Sequence, residues 1–135
     1  MISLTNIDFS YPQSGFRLSI AKLDFTPGTK SAIIGPRGFG KTTLLNLISG
    51  ICIPQKCEVR VKDASISQFN DAQRRTFRLL NIGFVFQDFK LLDYLKVMDN
   101  ILLPFRINKA LKLSADKKQR AKEIASMLNI EDKLN

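Results

Sequence analysis

The chain contains no histidine. Imidazole is the side chain that changes charge near neutral pH, so any mechanism that needs one must draw it from outside these residues. Thiols are scarce as well: Cys52 and Cys57 are the only two cysteines. That is too few, in too unspecific a pattern, for a disulfide framework or a zinc site, and reduced thiols in the cytosol are the simple reading. No apolar run approaches the roughly 20 residues that span a bilayer. The N-terminus has no charged segment leading into an apolar one, so no signal peptide is evident. Acidic residues are in short supply, 12 Asp and Glu against 21 Lys and Arg, which leaves a net charge of +9. Such an excess suits an acidic surface, anionic lipid headgroups or nucleic acid, and a solvated basic face also produces it.

What is present is enough to fold. Apolar residues make up 44% of the 135, which argues for a real core and against disorder, in one domain or one large piece of a domain. Ile2 to Phe9 alternates apolar and polar, as a half-buried strand does. A turn at 11–15 leads into a second strand, Phe16 to Phe25, closed by Pro27-Gly28, and the two are expected to form an antiparallel hairpin. Glu58 to Lys62 alternates again and joins the same layer. Thr29 to Ile34 reads as a short strand and Ile82 to Phe86 as a buried one, with a loop from Asp88 to Asp93. Asn70 is placed to cap a basic helix through Arg78. Lys96 to Arg106 reads as a helix with Pro104 near its end, and Ser114 caps a last helix with Asp116 in its first turn. In that helix Ala121, Ile124, Ala125 and Leu128 share one face, a stripe expected to pack into the core.

The most informative stretch runs from Gly35 to Thr43, G-P-R-G-F-G-K-T-T, with the spacing G-x-x-x-x-G-K-T. Glycines let the backbone N–H groups curl around a phosphate, a lysine reaches the terminal phosphates, and a threonine hydroxyl can ligate Mg²⁺. A strand-like run enters the loop and a helix-like run, Thr42 to Ile48, leaves it. That order sets a helix N-terminus, with its partial positive charge, against the anion.

In order and spacing these features resemble the nucleotide-binding domain of ATP-binding-cassette (ABC) transporters, and within it the subgroup that powers lipoprotein release and macrolide export. The resemblance covers the whole chain. Gly35 to Thr43, continuing into Leu44-Leu45, is similar to that family's Walker A. Ile82 to Leu92 looks like its Q-loop segment, and Asp99-Asn100-Ile101-Leu102-Leu103-Pro104 like the short helix that follows. The implied fold is α/β: a P-loop NTPase core with an N-terminal antiparallel β subdomain and the start of a helical subdomain, incomplete at the C-terminus, dividing into residues 1–93 and 94–135. The implied ligands are ATP and Mg²⁺. By position, Tyr11 would stack on adenine and Gly35, Pro36, Arg37, Gly38, Phe39 and Gly40 would wrap the phosphates. Lys41 would neutralise the β- and γ-phosphates, Thr42 would ligate Mg²⁺ and Thr43 would lie near the α-phosphate. Gln87 would reach Mg²⁺ or the attacking water. The implied partners are a transmembrane permease, met through the Q-loop and helical region, and a second nucleotide-binding subunit. The implied location is cytoplasmic, on the inner face of the cell membrane.

The sequence departs from that pattern in two ways. Arg37 and Phe39 stand where the family mostly has small or polar residues; the expectation is that nucleotide binding survives and that a dimer contact changes. The family's L-S-G-G-Q motif, its Walker B Asp-Glu and its switch histidine have no counterpart in these residues. Nothing here supplies the magnesium aspartate or the general base, and positioning alone gives little hydrolysis. Other readings stay open. One is a nucleotide-binding module that does not hydrolyse, or a truncated product. Another is a small P-loop kinase or GTPase, with Ile82 to Phe86 as a Walker B strand and Asp88 on Mg²⁺. Against the latter, Gln87 separates the apolar run from the acid, and Asn108-Lys109-Ala110-Leu111 begins like N-K-x-D but ends in leucine. Specific nucleic-acid binding through Lys109 to Lys122 is not expected, because no aromatics interleave with the basic residues there.

Overall fold

A computed structural model describes residues 1–54, 56–108 and 110–134, with Lys56 described by its backbone alone. Lys109, which begins the basic stretch and belongs to the N-K-x-x segment, and Asn135 lie outside the described residues. The chain forms two compact units, Met1–Arg78 and Leu79–Asn135.

The first unit is built on a four-stranded antiparallel sheet. Its strands are β1 (Ile2–Ser10), β2 (Arg17–Phe25), β3 (Lys56–Val61) and β4 (Ala64–Ser65), in the order β2-β1-β3-β4. The expected hairpin is therefore formed, and the third strand joins it on the far side of β1. Its register shows how the sequence specifies it. Ile2 faces Phe25, Leu4 faces Leu23, Ile7 faces Ile20 and Phe9 faces Leu18. In each strand the apolar positions skip one step in the middle, so a strict period of two would turn half of them to solvent. The skip falls at Asn6, which has φ 53, a left-handed conformation that asparagine tolerates better than most residues. There β1 slips by one residue against β3, between Thr5 and Asp8. This bulge returns Ile7 and Phe9 to the side that buries Leu4.

Helix α1 (Lys41–Ile48) lays Thr43, Leu44 and Leu47 on that side of the sheet. Leu44 and Leu47 form the core with Leu4, Ile7, Phe9, Val59, Val61 and Ile66. Helix α2 (Asp71–Asn81) starts on a capping box: Asn70 Oδ1 accepts from Gln73 N and Gln73 Oε1 accepts from Asn70 N, both at 2.9 Å. Its Arg78 donates to Ser49 O and Gly50 O at 3.3 and 3.2 Å, capping the carbonyl end of α1.

The second unit contains α3 (Val97–Ile107) and α4 (Ala115–Met127). Asn100 fastens the preceding loop to α3: its amide accepts from Leu92 N and donates to Leu92 O, both at 2.9 Å. Ser114 caps α4 through Lys117 N, as expected. Of the predicted apolar stripe, Ala121 and Ala125 are buried while Ile124 and Leu128 remain exposed. No helix among the described residues is long and apolar enough to cross a membrane.

Two predicted strands are not formed. Residues 29–34 and 82–86 carry no strand structure, and Ile34 and Val85 are 91% and 97% exposed. The apolar runs are real, but a strand also needs a neighbour whose carbonyl and N–H groups complete its ladder. Among the described residues neither run has one.

Candidate functional site

The phosphate loop lies wholly in the first unit. Gly38 and Gly40 adopt φ +88 and +83, conformations that cost other residues roughly 1–2 kcal/mol. Gly40 is doubly constrained, because a Cβ there would sit 2.7 Å from Phe16 Cζ. Helix α1 begins on this glycine. Its first intrahelical bond is Leu44 N to Gly40 O at 2.8 Å, no side chain caps its N-terminus and no acidic residue stands in its first turn. The first N–H groups of α1 are thus free of a side-chain acceptor and of a competing negative charge, as a site for an anion requires.

Lys41 Nζ donates to Gly35 O and Pro36 O, each at 2.7 Å. The ammonium is held across the loop by two neutral acceptors, and its third N–H has no protein partner among the described residues. Thr42, Arg37 and Phe39 are exposed, Phe39 by 69%. Thr43 is 6% exposed, and its Oγ1 lies 3.3 Å from the Tyr11 hydroxyl. The Tyr11 ring meets Phe9 edge-on at 4.8 Å and leans on Phe16 at 6.0 Å. Tyr11, Lys41, Thr42 and Thr43 are therefore gathered at one end of α1.

Two contributors escaped the sequence reading. Phe16 fills the space beside Gly40, and Cys52 Sγ lies 3.9 Å from the Tyr11 hydroxyl. Only the hairpin and the end of α1 bring them there, so no local pattern could have shown them. Burial pushes the Cys57 thiol pKa up, which makes it less of a nucleophile.

Gln87 belongs to the second unit, exposed in a turn closed by Phe89 N to Phe86 O at 3.2 Å. The next residue, Asp88, lies 2.5 Å from Lys90 Nζ. Its hydrogen bond to Lys90 is the main cause that holds its carboxyl below the usual range. Asp88 thus ends no strand, and its charge already has a partner. Among the described residues no group of three or more His, Cys, Asp or Glu side chains could hold a metal by itself. Mg²⁺ would have to share its shell with phosphate oxygens, and the exposed Thr42 hydroxyl suits that arrangement.

A glycine-shaped loop delivering lysine and threonine to an uncapped helix, beside an antiparallel sheet, defines a phosphate-binding nucleotide fold. The comparisons with known proteins narrow this: the ABC transporter family model matches residues 18–135, and the chain belongs to that family. It is 33% identical over 133 residues to the lipoprotein-releasing system ATP-binding protein LolD 1 of Rhodopirellula baltica, covering 96% of this chain and 57% of that protein. It is likewise 33% identical to the bacitracin export ATP-binding protein BceA of Halalkalibacterium halodurans, covering 96% and 52%. Among solved structures it is similar to the dimeric ATP-binding cassette MJ0796 bound to ADP and Pi, with a TM-score of 0.84, 29% identity, and coverage of 99% and 60%. The chain thus spans a little over half the length of these relatives.

Proposed function

We propose that the chain is the ATP-binding portion of an ABC ATPase subunit that energises transport through a membrane permease. The observation that carries this reading is the uncapped start of α1 at Gly40, with the Lys41 ammonium folded over the loop. Gly35 to Thr43 hold the phosphates, Tyr11 takes the base, and Thr42 and Gln87 serve Mg²⁺. The ion would offset phosphate charge. Residues 1–93 carry the nucleotide and 94–135 begin the helical region, which with the Q-loop faces the permease on the inner side of the membrane. A second nucleotide-binding subunit completes the site. The exposed Arg37 and Phe39 leave binding intact and alter that contact between subunits.

A titration with Mg-ATP tests this reading. Charge-assisted hydrogen bonds contribute about 1.5–3 kcal/mol, so Lys41→Ala is expected to weaken binding roughly 10- to 100-fold. Equal affinity of variant and wild type would refute it. The 135 residues by themselves are expected to bind without appreciable turnover; hydrolysis that saturates with ATP and vanishes in Lys41→Ala would contradict that.

A further inference from the structure

The contact between Tyr11 and Thr43 joins two parts of the candidate site that sequence reasoning treats separately. They stand 32 residues apart, one in the turn after β1 and the other in the first turn of α1. A threonine hydroxyl has one proton to donate and can also accept. If the Tyr11 O–H donates to Thr43 Oγ1, the Thr43 proton is free to point elsewhere. Cys52 Sγ also lies 3.9 Å from the Tyr11 hydroxyl, within reach for its S–H to donate to the tyrosine oxygen. The three groups then form one directed chain, thiol to phenol to threonine, with its last proton at the helix end. Such chains polarise along their length, and an anion at the donor end strengthens every link. The ring itself has little freedom to take another course, since Phe9 and Phe16 pack against it.

We propose that Tyr11 acts on the phosphates as well as on the base: its hydroxyl holds Thr43 Oγ1 as an acceptor and so commits the Thr43 proton to a phosphate oxygen. Tyr11 is, in this respect, a positioning residue. The inference rests on the nucleotide-binding reading above. At 3.3 Å the pair is long for two hydroxyls, and it shortens when a phosphate draws the Thr43 proton outward. Base recognition and phosphate recognition are then coupled, and a ligand that offers both gains more than the sum of its parts.

The test is a double-mutant cycle read by Mg-ATP affinity, with adenosine as a competitor that lacks the phosphates. Tyr11→Phe keeps the ring and removes the hydroxyl; Thr43→Val keeps the shape and removes the other. One net hydrogen bond corresponds to about a fivefold change in affinity. Each single variant is expected to lose about fivefold toward Mg-ATP, the double variant no more than the larger single loss, and adenosine competition should be unchanged. Thr43→Ser should restore binding, which a purely structural defect at this position would not predict. Losses that multiply in the double variant, or that fall equally on adenosine, overturn the coupling while leaving nucleotide binding in place. Absence of Mg-ATP binding by the wild type would overturn the nucleotide reading and the coupling with it.

Discussion

Two glycines of the phosphate loop differ in one respect that alanine substitution can isolate. Gly38 and Gly40 share nearly the same left-handed backbone, φ +88 and +83, but a Cβ at Gly38 would meet nothing within 4 Å. At Gly40 it would meet Phe16 Cζ at 2.7 Å, Phe16 Cε2 at 3.2 Å and Leu18 Cδ1 at 3.6 Å. Gly38→Ala therefore introduces backbone strain alone, roughly 1–2 kcal/mol. Gly40→Ala introduces the same strain and a clash. The Phe16 ring cannot swing away freely, since it lies against the hairpin beside Tyr11, and overpacking of this kind costs about 1–3 kcal/mol. The total at Gly40 is about 2–5 kcal/mol, a large fraction of the roughly 5–15 kcal/mol that stabilises a domain. Urea unfolding of both variants gives the comparison directly. Gly40→Ala should unfold at clearly lower urea than Gly38→Ala, with the slope unchanged. Adding Phe16→Leu should recover part of the Gly40→Ala loss and none of the Gly38→Ala loss. Equal midpoints for the two alanine variants would refute the claim that Phe16 is seated on Gly40.

Two further expectations concern the second unit. Asn100→Ala removes the partner of Leu92 N and of Leu92 O. It should cost about 1–3 kcal/mol locally, read as loss of hydrogen-exchange protection at the Leu92 amide; unchanged protection would refute the clamp. Asp88 is held below the usual carboxyl range chiefly by its hydrogen bond to Lys90. Its folded value lies below its unfolded one, about 3.9. The pair's stabilisation is therefore present above the unfolded value and is lost as pH falls through the lowered folded one. Lys90→Ala should raise the Asp88 midpoint in an NMR titration of its carboxyl carbon, and an unmoved midpoint would contradict the pairing.

The parts of this molecule that the sequence revealed are those decided within a few residues. The caps at Asn70 and Ser114 are local hydrogen bonds, and both read directly from residue type and spacing. The G-x-x-x-x-G-K-T spacing is also local, which is why the loop and the start of α1 were legible. The skip in the strand pattern at Asn6 was visible as well, though a strand reading that asks only for alternation passes over it. What could not be read is what distant segments decide. Tyr11 beside Thr43, and Phe16 beside Gly40, depend on how the hairpin meets α1.

The same distinction explains the two failed strands, and it makes them testable. Residues 29–34 and 82–86 have strand-like composition, so what they lack is a ladder partner. A backbone N–H that faces water exchanges at nearly its free rate, whereas one in a ladder waits for an opening event. Ile34 and Val85, 91% and 97% exposed, are accordingly expected to exchange their amide hydrogens within seconds in the isolated chain, while the amide of Leu4, buried in the sheet with a strand on either side, persists far longer. In a preparation that supplies neighbouring strands, each run should become protected, because a neighbour's carbonyl groups then complete its ladder. Protection of Ile34 and Val85 in the isolated chain comparable to that of Leu4 would show that these runs need no neighbour, and the account of why they are not strands would fall.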